Sequence, residues 1–274
     1  MIKPGEIQQK ANAMGVRDQQ IEKDYILSWI LFGISKHEQL SKAIVFKGGT
    51  VLKKVYFEEY RFSEDLDFTL LNSEISNEII FVWIKEVFEF IRDEANIPLE
   101  IIDNMEEEGV RLPDEQDGLH FYISYIGPLG GQGNNKKVKV DISRREQLVF
   151  EPIMNNVFIG YSDMEEHRVF CYPLEEVLVE KMRSVMQRMQ ARDFYDIWYL
   201  LEVHEMDAGF YINQFEAKCK SKDLKHTDFH KKLDERLPQY KGRWKSSLSE
   251  QIKNLPDFEQ VVREVQRNLK KLKF

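Results

Sequence analysis

The stretch FKGGTVLKKVYFEEYRFSEDLDF, residues 46–68, decides how the rest of this chain is read. It follows Ala43, Ile44 and Val45, so AIVFKGGT predicts a short buried strand ending in a glycine turn, and VLKKVYF the helix that leaves it. From Glu64 to Leu70 the apolar Leu66, Phe68 and Leu70 alternate with Asp65, Asp67 and Thr69. That period of two predicts a half-buried strand with both carboxylates on its polar face. Glycines at a strand-to-helix turn leave backbone N–H groups uncovered at the positive end of the helix, a cradle for phosphate oxygens, and the Thr50 hydroxyl adds a donor. Asp65 and Asp67 offer hard oxygen ligands close enough to share one or two divalent cations. Phosphates joined by metal to paired carboxylates describe phosphoryl or nucleotidyl transfer.

Outward from this stretch, residues 5–33 have apolar residues at helical spacing in two blocks, Ile7, Ala11, Met14 and then Ile21, Tyr25, Ile26, Trp29, Ile30, with a break at Gly15 and Asp18. Residues 74–95 predict an amphipathic helix with Ile79, Ile80, Trp83, Ile84, Val87, Phe88 and Ile91 on one side. LHFYISYI and KKVKVDIS flank the turn-rich GPLGGQGNN, a hairpin with a long tip. In its second strand Val138, Val140 and Ile142 alternate with Lys139, Asp141 and Ser143, so Asp141 also points away from the apolar face. A shorter strand, HRVFCY, precedes the helix PLEEVLVEKMRSVMQRMQ, whose proline start and glutamates mark an N-terminus. RDFYDIWYLLEVH is a further helix, and the remainder reads as polar helices broken near Pro238, Gly242 and Pro256. The fold class is α+β, a mixed sheet flanked by helices in residues 1–172, followed by a helical lobe in residues 173–274.

The 274 residues allow one large domain or two smaller ones, and 42% apolar and 12% aromatic content excludes disorder throughout. Cys171 and Cys219 form neither a metal-spaced pair nor a disulfide framework, and read as reduced thiols. Residues 1–15 have no signal-peptide core, and the longest apolar run, Tyr25–Ile34, is interrupted by Ser28 and Gly33 and is too short to span a bilayer. A cytoplasmic protein with no membrane partner is expected. The net charge of −8 hides an asymmetry: residues 218–274 carry 16 Lys and Arg against 8 Asp and Glu, the first 217 carry 23 against 39. A basic module of this kind draws polyanions by counterion release, although cations scattered on solvated helix faces explain it as well.

Each part of the opening stretch is unspecific by itself. A Gly-Gly pair is often only a tight turn, and Asp-x-Asp on a strand is often a solvated face. Together with Asp141 the signal strengthens, because three carboxylates on like faces of one sheet repel unless a cation joins them. In the helical half Lys181, Val185, Arg188 and Arg192 are spaced four, three and four apart, so an unbroken helix would place three cations on one stripe, suited to steadying triphosphate charge. Asp193 has a competing reading as a helix N-cap, with Asp196 three positions on as in a capping box. Glu22, Lys23 and Asp24 read as an exposed helix turn or, for Lys23, as a brace for the cleft. The GGQGNN loop, residues 130–135, reads as a flexible tip. His120, His167 and His204 show no metal-ligand spacing, and no Ser/His/Asp array is visible.

In order and wording, GGT, RFSEDLDF, KVDIS and EKMRSVMQRMQARDFYDIWYLL resemble the AbiEii-type nucleotidyltransferase toxins, formerly DUF1814, of the DNA polymerase β-like superfamily. IEKDY at residues 21–25 is similar to that family's N-terminal signature. The resemblance runs from about residue 20 to 202, with 15 residues between Gly49 and Asp65 and Thr50 where many superfamily members have serine. It implies that Gly48, Gly49 and Thr50 hold the triphosphate with Arg61 and Ser63 near it. It further implies that Asp65 and Asp67 bind Mg²⁺ (or Mn²⁺), and that Asp141 is the third metal-binding carboxylate and helps activate the acceptor hydroxyl. Lys181 and Asp193 match its motif for nucleotide contact and activity, with Arg188, Arg192 and Asp196 as lesser candidates.

The expected protein is therefore a two-lobed, Mg-dependent nucleotidyltransferase that moves a nucleoside monophosphate from an NTP to an acceptor hydroxyl. The resemblance adds a toxin role in an AbiE-like, type IV toxin–antitoxin or abortive-infection pair, a cognate antitoxin as partner, and the 3′ end of tRNA as acceptor. Two rivals remain open: a kinase or protein nucleotidyltransferase on the same fold, and a nucleotide-binding module without catalysis.

Overall fold

The computed structural model describes residues 1–102, 118–131, 136–270 and 272, and its backbone divides into two compact units. The first comprises Met1–Glu146 and Pro152–Cys171, the second Gln147–Glu151 and Tyr172–Phe274.

The first unit opens with helices α1 (Pro4–Met14) and α2 (Asp18–Lys36), separated by Gly15 in the left-handed conformation, then α3 (Glu38–Ala43). Strand β1 (Ile44–Lys47) runs straight into α4 (Gly48–Val51), which widens into a π turn over Leu52–Tyr56. Gly48, with φ +80°, makes the expected turn between strand and helix, and Gly49 enters the helix directly after it. Strand β2 (Asp65–Leu70), α5 (Asn77–Ala95) and β3 (Leu99–Ile102) follow, then β4 (Gly118–Tyr125), β5 (Lys137–Ser143), β6 (Ile153–Asn156) and β7 (Arg168–Cys171). The expected hairpin is β4–β5. β3 and β6 escaped the sequence reading because each has four residues and little alternation. Of the GGQGNN tip, Gly130 and Gly131 have positive φ, and residues 132–135 lie outside the described residues.

The seven strands form one mixed sheet in the order β3-β4-β5-β2-β1-β7-β6. β2 pairs antiparallel with β1 and parallel with β5, and β5 pairs antiparallel with β4. Alternation then separates the two faces. Leu66, Phe68, Val140, Ile142, Phe121 and Ile123 form the apolar face and share a core with Ile30 and Ile34 of α2 and Ile84, Val87 and Phe88 of α5. Gly33 permits that packing, since a Cβ there would sit 2.8 Å from Val87 Cγ1. α2 is buried along nearly its whole circumference from Gln20 to Ile34, which is why it reads as apolar rather than amphipathic. On α5, Ile79 is exposed, as is Val82, whereas Ile80, Ile84, Val87, Phe88 and Ile91 of the expected stripe are buried.

The second unit contains α6 (Leu174–Gln187), α7 (Ala191–Trp198) with a π turn over Tyr199–Val203, and α8 (Ile212–Lys220), α9 (Phe229–Leu248) and α10 (Phe258–Leu269). Its core gathers Phe194, Tyr240, Trp244 and Phe258, with the Phe194 and Tyr240 rings stacked at 5.3 Å. α9 runs through Pro238 and Gly242, where breaks were expected. Leu233, Tyr240, Trp244 and Leu248 are all buried along it, and that packing outweighs the hydrogen bond lost at the proline. Residues 147–151 join this unit through a fully buried ion pair. Lys218 Nζ donates to Glu176 Oε1 at 2.6 Å and to the Gln147 carbonyl at 2.7 Å, while Glu176 Oε2 accepts from the N–H groups of Val149 and Phe150.

Candidate active site

The register of β2 against β5 assembles the acidic face. Asp67 of β2 is the pairing partner of Asp141 on β5, and Asp65 pairs with Lys139. Paired residues of neighbouring strands share a face, and so do residues two apart on one strand, so Asp65, Asp67, Lys139 and Asp141 all project from the polar side. β1 adds Lys47 opposite Asp67, and β4 adds His120 opposite Asp141. The expectation of three carboxylates on one face is met; the cations among them were not anticipated.

Asp141 is held on both oxygens. His120 Nδ1 lies 2.6 Å from Oδ1, and Lys139 Nζ donates to Oδ2 at 2.7 Å. Burial pushes this carboxyl up, but the hydrogen bonds from His120 and Lys139 and their charges outweigh it and hold it below the ordinary carboxylate value. For Lys139 burial acts downward, and the Asp141 bond with the charges of Asp141, Asp65 and Asp67 raises the ammonium above its usual value. Sequence reasoning passed over His120 because its role depends on the β4–β5 register. Lys139 stood two residues from Asp141 on the same strand face, a signal that was present.

The glycine pair meets the acids closely. Gly48 has φ +80°, a left-handed conformation, and a Cβ there would run into the Asp67 carboxylate. A Cβ on Gly49 would lie 2.5 Å from Arg61 Nη2 and 3.5 Å from Ser63 Oγ. Gly48 therefore lies against Asp67, and Gly49 against Arg61 and Ser63. Arg61 is buried, donates to the Phe62 carbonyl at 3.2 Å and stacks over Tyr60. The Thr50 hydroxyl, expected to face phosphate, instead donates to the Asp65 carbonyl at 2.5 Å and ties α4 to the start of β2.

The Glu22-Lys23-Asp24 segment is not an exposed turn. Glu22 is fully buried and takes the Leu129 N–H and the Lys136 ammonium, anchoring the base of the β4–β5 tip. Asp24 pairs with the buried Lys54 at 2.7 Å and accepts from Tyr161 at 2.8 Å. Tyr25 donates to Asp163 at 2.7 Å. Lys23 bridges to Glu64 at 3.1 Å, the residue ahead of Asp65. IEKDY is a clasp that joins α2 to four distant segments.

In the second unit the predicted cation stripe does not form. α6 ends at Gln187, Arg188 is extended with φ −124°, and α7 starts at Ala191. α9 fixes this break: Arg236 and Tyr240 donate to the Val185 carbonyl and Arg243 to that of Met189, serving carbonyls that the helix end leaves open. The break turns Arg188 onto Asp193, with Nε 2.7 Å from Oδ2 and Nη2 3.1 Å from Oδ1. Lys181 Nζ lies 2.7 Å from both Asp193 Oδ1 and Asp196 Oδ2. The N-cap reading of Asp193 also fails, because Gln190 is the N-cap and makes no side-chain cap bond. Burial pushes Asp193 up, while the charges of Lys181 and Arg188 prevail and hold it low. Arg192 is partly exposed beside this cluster in sequence.

Among the described residues no group of three or more His, Cys, Asp or Glu side chains converges to hold a metal ion. The donor chemistry nevertheless fits a hard divalent cation, since Asp65, Asp67 and Asp141 bring only carboxylate oxygens to one face.

The mixed sheet, the glycine-led helix and the acidic face define a nucleotidyltransferase. Residues 29–264 match the family described as nucleotidyl transferase AbiEii toxin, type IV TA system, and the chain belongs to that family of toxin–antitoxin nucleotidyltransferases. The match extends about sixty residues beyond the segment whose motifs carried the resemblance, into the basic C-terminal part. JHP933 from Helicobacter pylori has a similar fold, with TM-score 0.58 and 17% identity over 93% of this chain and 92% of its own. MenT4, a nucleotidyltransferase toxin from Mycobacterium tuberculosis, is similar over 100% of both chains with TM-score 0.54 and 16% identity. No curated protein matches the chain by sequence. Among the described residues no helix is long and apolar enough to cross a membrane.

Proposed function

We propose that this protein moves a nucleoside monophosphate from an NTP to the 3′ end of a tRNA, as the toxin of a pair whose antitoxin restrains it in the cytoplasm. The observation that carries the reading is the register pairing of Asp67 with Asp141, with Asp65 on the same face and Gly48 against the Asp67 carboxylate.

Asp65, Asp67 and Asp141 would hold Mg²⁺ or Mn²⁺, which supplies positive charge that offsets the triphosphate and the developing oxyanions. Gly48 and Gly49, lacking side chains, let phosphate oxygens approach the backbone, and Arg61 with Ser63 lies against Gly49. Asp141 orients the acceptor hydroxyl for attack on the α-phosphorus and takes its proton at a carboxylate oxygen. The bond from the α-phosphorus to the bridging oxygen breaks and pyrophosphate leaves. Within the second unit Lys181 fixes Asp193, which in turn holds Arg188. The solvent-facing basic residues of 218–274 attract the RNA backbone.

The test is transfer of label from each of four α-labelled NTPs, and from γ-labelled NTPs, into total RNA and total protein. Label from the α position on RNA is expected, with loss in Asp65→Ala. Label from the γ position would make the protein a kinase, and α label on protein would replace the acceptor. Unchanged toxicity and NTP turnover in Asp65→Ala would overturn the catalytic assignment.

A further inference from the structure

The acidic face already contains cations of its own, Lys47 opposite Asp67 and Lys139 beside Asp141. Lys139 Nζ lies 2.7 Å from Asp141 Oδ2, and its strand position is register-paired with Asp65, two residues from the position paired with Asp67. Its register position places Lys139 on the same sheet face as Asp65, Asp67 and Asp141. On the other side of Asp141, His120 engages Oδ1. Without such partners, three carboxylates projecting from adjacent positions of one sheet face would repel through a partly desolvated medium. The Lys139 side chain is 40% exposed, so its four-carbon stem has a route to water that the deeply buried Lys54 and Lys218 lack. Asp141 itself is 21% exposed and sits on a central strand, fixed by pairing on both sides. Within the Lys139–Asp141 pair, the more exposed lysine is the side that can move.

We propose that Lys139 is a built-in stand-in for the metal: it neutralises the Asp65, Asp67 and Asp141 face while no metal is bound, and swings out to solvent when a divalent cation arrives. This rests on the metal-binding reading of those carboxylates and adds to it a gate. The stand-in keeps the sheet stable without metal, and it weakens metal binding until an NTP brings further negative charge to the face. Metal and nucleotide therefore bind cooperatively, because the triphosphate oxygens help displace one resident positive charge. Lys139 is a positioning residue in this scheme, acting on the metal through Asp141.

The experiment measures Mn²⁺ binding to the full-length protein by electron paramagnetic resonance, with and without each of the four NTPs, alongside thermal stability with and without Mg²⁺. The proteins are wild type, Lys139→Met, which keeps the stem without the charge, and Lys139→Arg, which keeps the charge. Wild type should bind Mn²⁺ weakly alone and more tightly with an NTP. Lys139→Met should bind Mn²⁺ alone roughly ten- to hundredfold more tightly than wild type, from loss of one nearby positive charge. Its melting temperature should fall in metal-free buffer and recover with Mg²⁺, whereas Lys139→Arg should follow wild type in both assays. Equal Mn²⁺ affinity in Lys139→Met and wild type, or a melting temperature of Lys139→Met that ignores Mg²⁺, would overturn the stand-in while leaving the metal site intact. Absence of Mn²⁺ binding in every protein, with and without NTP, would overturn the metal reading and the stand-in with it. If Lys139→Met does not fold without metal, purification in Mg²⁺ followed by chelation reads the same dependence.

Discussion

Replacing Lys181 with methionine separates structural from catalytic roles in the motif of α6 and α7. Methionine nearly matches the lysine stem in volume, so the change removes charge and hydrogen bonds with little cavity. Lys181 is 7% exposed and touches two carboxylates at 2.7 Å, those of Asp193 and Asp196, themselves 3% and 0% exposed. Arg188 still serves Asp193, but Asp196 loses its lysine. Removing one partner of a buried ion pair costs about 3–5 kcal/mol, because the charge left behind cannot recover its hydration. With a urea slope of about 2 kcal/mol per molar, the midpoint should fall by roughly 1.5–2.5 M. Circular dichroism in urea reads this, and amide exchange should show α6 and α7 opening first. The pH dependence has a fixed sign. Asp193 is held below its ordinary value, so its contribution is complete above the unfolded carboxyl value near 4, and fades as pH falls through the lower folded value. In Lys181→Met the main lowering charge is gone, so the deficit relative to wild type should narrow from pH 7 towards pH 4. Adding Asp196→Asn should recover about 1–2 kcal/mol. A midpoint within experimental error of wild type at pH 7, with α6 and α7 exchange unchanged, would refute the view that Lys181 holds this cluster together. Nucleotidyl transfer lost from such an intact variant would then assign Lys181 directly to the nucleotide.

Three further outcomes are expected. Gly48→Ala forces a side chain into left-handed backbone and against Asp67; it should cost about 1–3 kcal/mol of stability and reduce α-label transfer at least about a hundredfold, read by urea unfolding and the transfer gel. Asp67→Asn keeps shape and removes charge, so transfer should disappear while the melting temperature stays level or rises; a variant retaining more than about a tenth of the activity would remove Asp67 from the metal set. Lys218→Met should destabilise the second unit by about 3–5 kcal/mol and free residues 147–151 to proteolysis, while Lys218→Met with Glu176→Leu should restore much of the stability though not the anchoring of that segment.

Much of the first unit was legible because strand periodicity is a local code. The alternation in SEDLDF and KVKVDIS assigned Asp65, Asp67 and Asp141 to polar faces before any pairing was known, and the Gly48–Gly49 dipeptide marked a close approach. The helical motif was legible as composition but misread as geometry. Spacing alone extrapolated an unbroken helix from Lys181 to Arg192, whereas the chain breaks at Arg188 and α9 donors secure the break. Pro238 misled for the converse reason: a local breaker was overruled by four buried side chains on the same helix. The EKDY segment looked like surface charge because a buried carboxylate is recognisable only by its partners, and Leu129, Lys136, Lys54 and Tyr161 lie far along the chain.

By itself, then, the sequence determined which residues alternate, where glycine replaces side chains and which family wording the chain carries, since these depend on neighbours within a few positions. Tertiary structure alone decided that Asp67 sits beside Asp141, that Lys139 and His120 close the Asp141 carboxylate, and that Lys181 binds Asp193 and Asp196. Those are matters of strand register and helix ends, where a shift of one residue turns a side chain to the opposite face, and register is set by packing of the whole sheet rather than by any one strand.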